Sequence, residues 1–337
     1  MTTEEFFKNL LSSLELKDSE RDNISNKHTA LRESLREKLE VEDDFLTGSY
    51  NRNTMIRPKD SEGKFDVDFF LAFNKDDYGE SELPELLKMV KNALGEIKDD
   101  NEDIAEIQEQ KRSIGVIYND NFQIDVVPAI QIEKDKRYKI FDKNTQQAVE
   151  SNPKLHGSNL TSANEATESG SVKRLVPIVK LLKSWKRDKC EYVKSFHLEM
   201  LAVKILEDEE ISSYSQGLSK FFMNAGQHLQ SAGLEDPANE ENIIDEYLDD
   251  DGKRSELLNL ITDEKETAEK AIELENDDEN DNAVKEWGKI FESDDDEKVA
   301  RAIKSGSFHP GNGGVIVKTN PKSSNGKRIN SPRSWKS

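Results

Sequence analysis

Phe6, Phe7, Leu10 and Leu11 recur at helical spacing behind Thr2-x-x-Glu5, a capping-box pattern, and predict a first helix. Asp18 or Ser19 can cap a longer second helix whose apolar positions Ile24, Leu31, Leu35 and Leu39 form one stripe. From Phe45 the pattern changes. Gly48-Ser49 falls in a polar, turn-like stretch, and residues 64–73, KFDVDFFLAF, read as a strand rich in aromatic and apolar side chains. Leu83 to Ile97 has helical periodicity with Pro84 at its start. Ile114 to Tyr118 and Phe122 to Val127 are β-rich runs joined by Asn119-Asp120-Asn121, a hairpin pattern. Residues 142–172 are polar with little periodicity and read as a connection. Helical signals follow at Val172–Trp185, Phe196–Glu207, Gly217–Leu229 and Arg254–Leu274. Glu275 to Glu297 reads as solvated acidic helix and loop, and Gly311 to Ser337 as an extended tail. No internal repeat is evident. Strand, helix, hairpin and then helices give an α+β architecture.

Composition narrows the function. The 337 residues are 34% hydrophobic and carry 48 basic against 69 acidic side chains, a net charge of −21. The charge is uneven: residues 235–300 hold 26 acidic and 7 basic side chains, whereas residues 301–337 hold 8 basic and none acidic. A broad nucleic-acid-binding face is therefore not expected, but a basic phosphate pocket elsewhere is compatible with the total. The single cysteine, Cys190, excludes an internal disulfide and a Cys-rich zinc site. No window approaches the roughly 18 apolar residues of a membrane span, and the start lacks a basic, apolar leader. A soluble, cytoplasmic protein with no membrane partner is the expectation.

Chemistry concentrates in three aspartates. Side chains alternate along a strand, so Asp66 and Asp68 share one face while Val67 and Phe69 point to the core. Asp125 is a third acid inside the apolar run Ile124-Asp125-Val126, where a lone carboxylate would be costly to keep charged. Divalent metal accounts for all three, since Mg²⁺ prefers oxygen ligands and joins carboxylates to substrate phosphates. Three such acids can hold two ions, one activating a hydroxyl and one neutralising leaving pyrophosphate. Gly48-Ser49 complements them: glycine permits close backbone approach, and serine and nearby amides can meet an anion. The five histidines show no metal spacing, and His197 reads as a helix histidine.

The stretch Phe45-Leu46-Thr47-Gly48-Ser49-Tyr50-Asn51-Arg52-Asn53-Thr54-Met55-Ile56-Arg57-Pro58, with Asp66-Val67-Asp68 and Ile124-Asp125-Val126-Val127-Pro128, resembles the nucleotidyltransferases of the polymerase-β superfamily. More narrowly it resembles the bacterial cyclic GMP-AMP synthase/DncV-like nucleotidyltransferases (CD-NTases) of CBASS anti-phage defence, over most of residues 1–230. The resemblance implies a small mixed sheet with helices and a C-terminal helical lobe. It implies residues 1–40 as helices packing on both lobes, 41–150 as the catalytic core, 151–310 as the helical lobe with the acidic segment 235–300, and 311–337 as a basic tail. It makes Asp66, Asp68 and Asp125 the catalytic ligands of two Mg²⁺ or Mn²⁺ ions, with Gly48 and Ser49 holding the donor triphosphate. Lys180, Lys183 and Ser195 are implied as further triphosphate contacts, although for the lysines a solvated helix edge is an equal reading of spacing alone. ATP, GTP, UTP or CTP would be joined into a cyclic or short linear messenger read by a downstream effector. Regulatory companion proteins are implied as partners, and direct DNA binding is not expected. The rival readings are a poly(A)- or CCA-like RNA nucleotidyltransferase, nucleotidylation of a protein or small molecule, and a non-catalytic nucleotide-binding module.

Overall fold

The computed structural model describes residues 1–59, 63–134, 136–231, 233–249 and 252–291. Helix α1 (Thr3–Leu14) starts at the expected capping box, with Thr2 and Glu5 bonded reciprocally. Helix α2 (Asp18–Lys38) starts one position earlier than its acidic cap would suggest, with Lys17 as the cap, and buries Ile24, His28, Leu31 and Leu35. The two helices serve different cores. Phe6, Phe7, Leu11 and Leu14 of α1 pack into a helical core, whereas Ile24, Leu31 and Leu35 of α2 pack against the sheet.

The sheet contains β1 (Asp43–Thr47), β2 (Phe65–Asn74), β3 (Ile104–Glu109), β4 (Ile114–Tyr118), β5 (Phe122–Glu133), β6 (Arg137–Asp142) and β7 (Gln147–Ser151). Its order is β1-β2-β5-β4-β3, with β6 pairing to β5 and β7 to β6. Among the described residues only β2 and β5 run parallel, connected through α4 (Leu83–Asp99) and the β3–β4 hairpin. Parallel neighbours need such a crossover, and α4 covers one face with Leu86, Leu87, Val90 and Leu94. The four-residue helix α3 (Gly48–Asn51) leads straight out of β1.

The polar stretch 142–172 is not a bare connection. It contains β7 and α5 (Pro153–Ala166), which begins at Asn152, whose side chain accepts from Leu155 N. The expectation failed because β7 is an edge strand with partly exposed side chains and α5 buries only Pro153, Leu160 and Ala163. Beyond it stand α6 (Leu175–Lys189), α7 (Ser195–Leu206), α8 (Tyr214–Gln230), the small pair β8 (Glu235–Asp236) and β9 (Asn239–Ile243), and α9 (Lys253–Asn276).

Part of the acidic segment is also core. Helix α10 (Asn280–Phe291) buries Val284, Trp287, Ile290 and Phe291, and Trp287 meets Phe7 edge-on with centroids 5.2 Å apart. Its apolar stripe is only four residues among acids, so composition hides it. Residues 292–300 of the acidic segment and the basic tail 311–337 lie outside the described residues. Trp287→Ala is expected to lower the unfolding free energy by about 3–5 kcal/mol, as for other buried aromatic truncations. A lower urea midpoint at unchanged slope would show it, and a loss under about 1 kcal/mol would contradict this packing.

Candidate active site

Parallel register is what gathers the acids. Asp68 pairs with Asp125 across β2 and β5, Thr47 pairs with Asp68 across β1 and β2, and Gly115 pairs with Asp125 on β4. Asp66 lies two residues before Asp68 on the same face, while Val67 and Phe69 on the other face are fully buried. Because Thr47 is level with Asp68, the chain leaving β1 must turn beside that carboxylate.

It turns at Gly48, in the left-handed region with φ of +67°. A Cβ there would stand 1.7 Å from Asp68 Oδ2, so only glycine admits this approach. The segment then folds back, and Thr54 N and Met55 N both donate to Ser49 O at 2.9 and 3.1 Å.

Charge at the three aspartates is under strain. Burial, then the Asp125 and Asp68 carboxylates, push Asp66 up to about 8 even though its side chain reaches solvent at the mouth of the site. Burial and Asp125 push Asp68 up to about 6, against the pull of Arg52 and Lys183. Burial also raises Asp125, opposed by hydrogen bonds to its Oδ1 from Gln123 Nε2 at 2.8 Å and Gln110 Nε2 at 3.0 Å. The carboxylates are not drawn into a closed cage: among the described residues no three His, Cys, Asp or Glu side chains form a ready-made metal site. The donor set nonetheless suits a hard divalent cation, which binds carboxylate oxygens and relieves the repulsion that raises these groups. Asp66, Asp68 and Asp125 are the residues that could hold it, and the space kept open by Gly48 lies on Asp68.

An acid raised on folding from 3.8 to about 8 binds its proton more tightly in the native state, so its contribution to stability is lost as pH rises through that window. Asp66→Asn is accordingly expected to gain stability over the wild type progressively from pH 4 to about 8 in chelator-treated protein. Mg²⁺ should reverse the order at the alkaline end. A difference in thermal midpoint that does not change with pH would contradict the shared burden of charge.

The helical-lobe residues fall in different settings. Lys183, on α6, is 5% exposed and bonded to Thr54 and to Glu199 of α7. Lys180, one turn earlier, is bound by Glu15 at 2.5 Å and lines a cavity of about 250 Å³ with Arg21, Tyr50 and Asn53. Ser195 opens α7 in an exposed position. His197 is buried, held neutral by burial that lowers it to about 4, and its Nδ1 meets Tyr247 Oη at 2.9 Å. Sequence reasoning passed over Gln110, Gln123, Arg52 and Glu199. Only Glu199 left a signal, as a lone carboxylate inside the apolar run Leu198-Glu199-Met200-Leu201-Ala202.

The fold is thus a mixed sheet presenting paired carboxylates beside a glycine turn, backed by a separate helical core. Solved structures agree: the Vibrio cholerae di-nucleotide cyclase DncV superposes with a TM-score of 0.70 at 12% identity, covering 87% of this chain and 96% of that one. Escherichia coli CdnC with ATP gives 0.67 at 18%, covering 86% and 98%. Bradyrhizobium diazoefficiens CdnG in complex with GTP gives 0.67 at 14%, covering 89% and 97%. Residues 1–164, just under half of the chain, match the Second Messenger Oligonucleotide or Dinucleotide Synthetase (SMODS) domain. A cyclic AMP-AMP-AMP synthase from an Acinetobacter strain is 29% identical over 234 residues, a match spanning 66% of this chain and 63% of that relative's length. Among the described residues no helix is long and apolar enough to cross a membrane.

Proposed function

We propose that this chain is a divalent-metal-dependent nucleotidyltransferase that joins nucleoside triphosphates into a cyclic oligonucleotide messenger, acting in the cytoplasm in anti-phage signalling. The observation that carries the reading is the pairing of Asp68 with Asp125 on parallel strands with Gly48 held against Asp68. Asp66, Asp68 and Asp125 would hold two Mg²⁺ or Mn²⁺ ions, which when bound lower the pKa of the attacking hydroxyl and neutralise the leaving group. Gly48 and Ser49 cradle the donor triphosphate through the backbone turn, and Ser195, Lys180 and Lys183 serve it from the helical lobe. Asp125, tethered by Gln110 and Gln123, helps take the proton of the attacking 2′- or 3′-hydroxyl. In each transfer the hydroxyl oxygen bonds to the α-phosphorus, the bond to the β-phosphate bridging oxygen breaks, and pyrophosphate leaves. The last transfer, from the growing chain's own terminal hydroxyl to the α-phosphorus at its 5′ end, closes the ring.

In this reading residues 41–150 carry the chemistry and the helical lobe holds the bases. The relative's name makes ATP the first substrate to test. The complex of Escherichia coli CdnC with a HORMA protein makes a regulatory companion a reasonable partner here too. Purified full-length protein supplied separately with ATP, GTP, CTP or UTP and Mg²⁺ or Mn²⁺ is expected to release pyrophosphate from at least one of them, and none after chelation. Nucleotide binding without release from any would make the chain a binding module. Metal-dependent extension of an added RNA 3′ end would make it an RNA nucleotidyltransferase.

A further inference from the structure

A cavity of about 670 Å³ lies away from the aspartates, between α5, the C-terminal ends of α7 and α8, and the β8–β9 pair. Its volume is within the range of small-molecule sites. Helix α7 separates it from the candidate active site. His197, Met200, Leu201 and Lys204 recur at i, i+3, i+4 and i+7 and face the cavity, whereas Glu199 on the opposite side bonds Arg52 and Thr54. Met200, Leu201 and Leu229 make part of the wall apolar and buried.

One buried donor in this wall has no partner. His197 is 1% exposed, and its Nε2 bonds nothing among the described residues. Its Nδ1 meets Tyr247 Oη, which also accepts from Lys194 N at 2.8 Å. A hydroxyl has a single proton, so Tyr247 donates it to Nδ1 and the imidazole carries its own proton on Nε2. The opposite tautomer would leave both the tyrosine proton and Nε2 unmatched. Tyr247 is not among the described residues that line the cavity, so the ring turns its other edge, with the Nε2 proton, toward it. A buried N–H without an acceptor destabilises the fold, and a ligand oxygen reaching it completes the bond.

The mouth of the cavity is negative. Two lining acids are already engaged, Asp236 by His156 at 2.6 Å and Asp245 by Arg254 at 2.7 Å. Glu207, Asp208 and Glu235 have no side-chain partner among the described residues, and Lys204 is the only lysine or arginine among the described residues of the lining. The C-terminal ends of α7, at Leu206, and of α8, at Gln230, add the negative poles of two helix dipoles. A phosphate is repelled here, so the cavity is not a second seat for nucleotide. No three His, Cys, Asp or Glu side chains among the described residues are placed to hold a metal ion, which leaves an organic cation.

We propose that this cavity binds an organic cation of the arginine type, in which a guanidinium or ammonium group is joined through methylenes to a carbonyl. The carbonyl accepts from His197 Nε2, the methylenes lie along Met200 and Leu201, and the cationic end meets Glu207, Asp208 and Glu235. The site stands apart from the aspartates and does not depend on how they are read. A free amino-acid derivative and an arginine within a short peptide share this chemistry, and the probes below separate them.

The test is titration calorimetry of the full-length protein at low salt with Nα-acetylarginine methylamide, its uncharged citrulline analogue, and spermidine, a cation without a carbonyl. The arginine probe is expected to bind with a Kd of about 1 mM or tighter, and about tenfold or more tighter than either control. Glu207→Gln combined with Asp208→Asn, at the partly exposed mouth, should weaken it at least about fivefold. In ¹⁵N-histidine-labelled protein the Nε2 proton resonance of His197 should move as the arginine probe is added. No binding at about 10 mM, equal affinity for the citrulline or spermidine control, unchanged affinity in the double variant, or an unmoved His197 resonance would each overturn the proposal. With the site upheld, an acetyl-Gly-Arg-Gly amide that binds about tenfold tighter than the single residue assigns the occupant to a peptide, and one that binds no tighter assigns it to a free small molecule.

Discussion

Replacing Asp66 and Asp68 together by alanine is expected to eliminate metal-dependent pyrophosphate release while leaving the fold intact. Loss of a partner that merely supports a metal ligand costs roughly 10–100-fold, and here two ligands go at once, so the fall should exceed that range. The structural consequence runs the other way. Both carboxyls are raised by burial and by their neighbours' charge, so above about pH 6 the native wild type carries repulsion that the variant lacks. In the presence of chelator the inactive variant should therefore unfold at a higher temperature than the wild type at pH 8. Inactivity accompanied by a lower thermal midpoint would instead mean that the acids support the fold, and residual activity above about one per cent would place the metal ligands elsewhere.

Gly48→Ala should be nearly as damaging for a different reason. A left-handed backbone costs a non-glycine residue about 1–2 kcal/mol, and the new methyl group would lie 1.7 Å from Asp68 Oδ2. Either the turn carrying Ser49 or the Asp68 carboxylate must move, and a displacement of about 1 Å at a reacting centre can cost a hundredfold in rate. Gly170 provides the control: it too has positive φ, at +58°, but a Cβ there meets nothing within 4 Å. Gly170→Ala is expected to share the backbone penalty and keep full activity. Equal activity in the two variants would show that the approach of Gly48 to Asp68 is incidental.

Legibility followed local signal strength. The alternation Asp66-Val67-Asp68-Phe69 marked both the strand and the face on which the acids meet, and the apolar flanks of Asp125 marked it as anomalous. Helices α4, α6, α7, α8 and α9 were legible because their apolar positions recur, although periodicity alone placed their ends a few residues away from the observed ones. Strands β1, β3, β6 and β7 left weaker traces: β3 and β7 are edge strands with mixed exposure, and β1 is only five residues long. Helix α10 was masked by the acids around Trp287. The register that sets Asp68 beside Asp125 depends on a parallel crossover of 47 residues, from the end of β2 at Asn74 to the start of β5 at Phe122, and no local pattern encodes it. The same holds for Glu199, whose partners Arg52 and Thr54 lie some 145 residues away. Lys183 could be placed on a helix face by spacing, but which neighbours would occupy its three donors was a question of tertiary contact.

These aspartates and this turn are expected to make a closed oligonucleotide. The most direct measurement is incubation of the full-length protein with all four nucleoside triphosphates and Mg²⁺ or Mn²⁺, digestion with phosphatase, and mass spectrometry of what survives. A phosphatase-resistant species whose mass equals a whole number of nucleoside monophosphates less one water for each is the predicted result, and its mass also identifies the bases. Pyrophosphate release that leaves only nucleosides and phosphatase-trimmed linear chains would contradict ring closure.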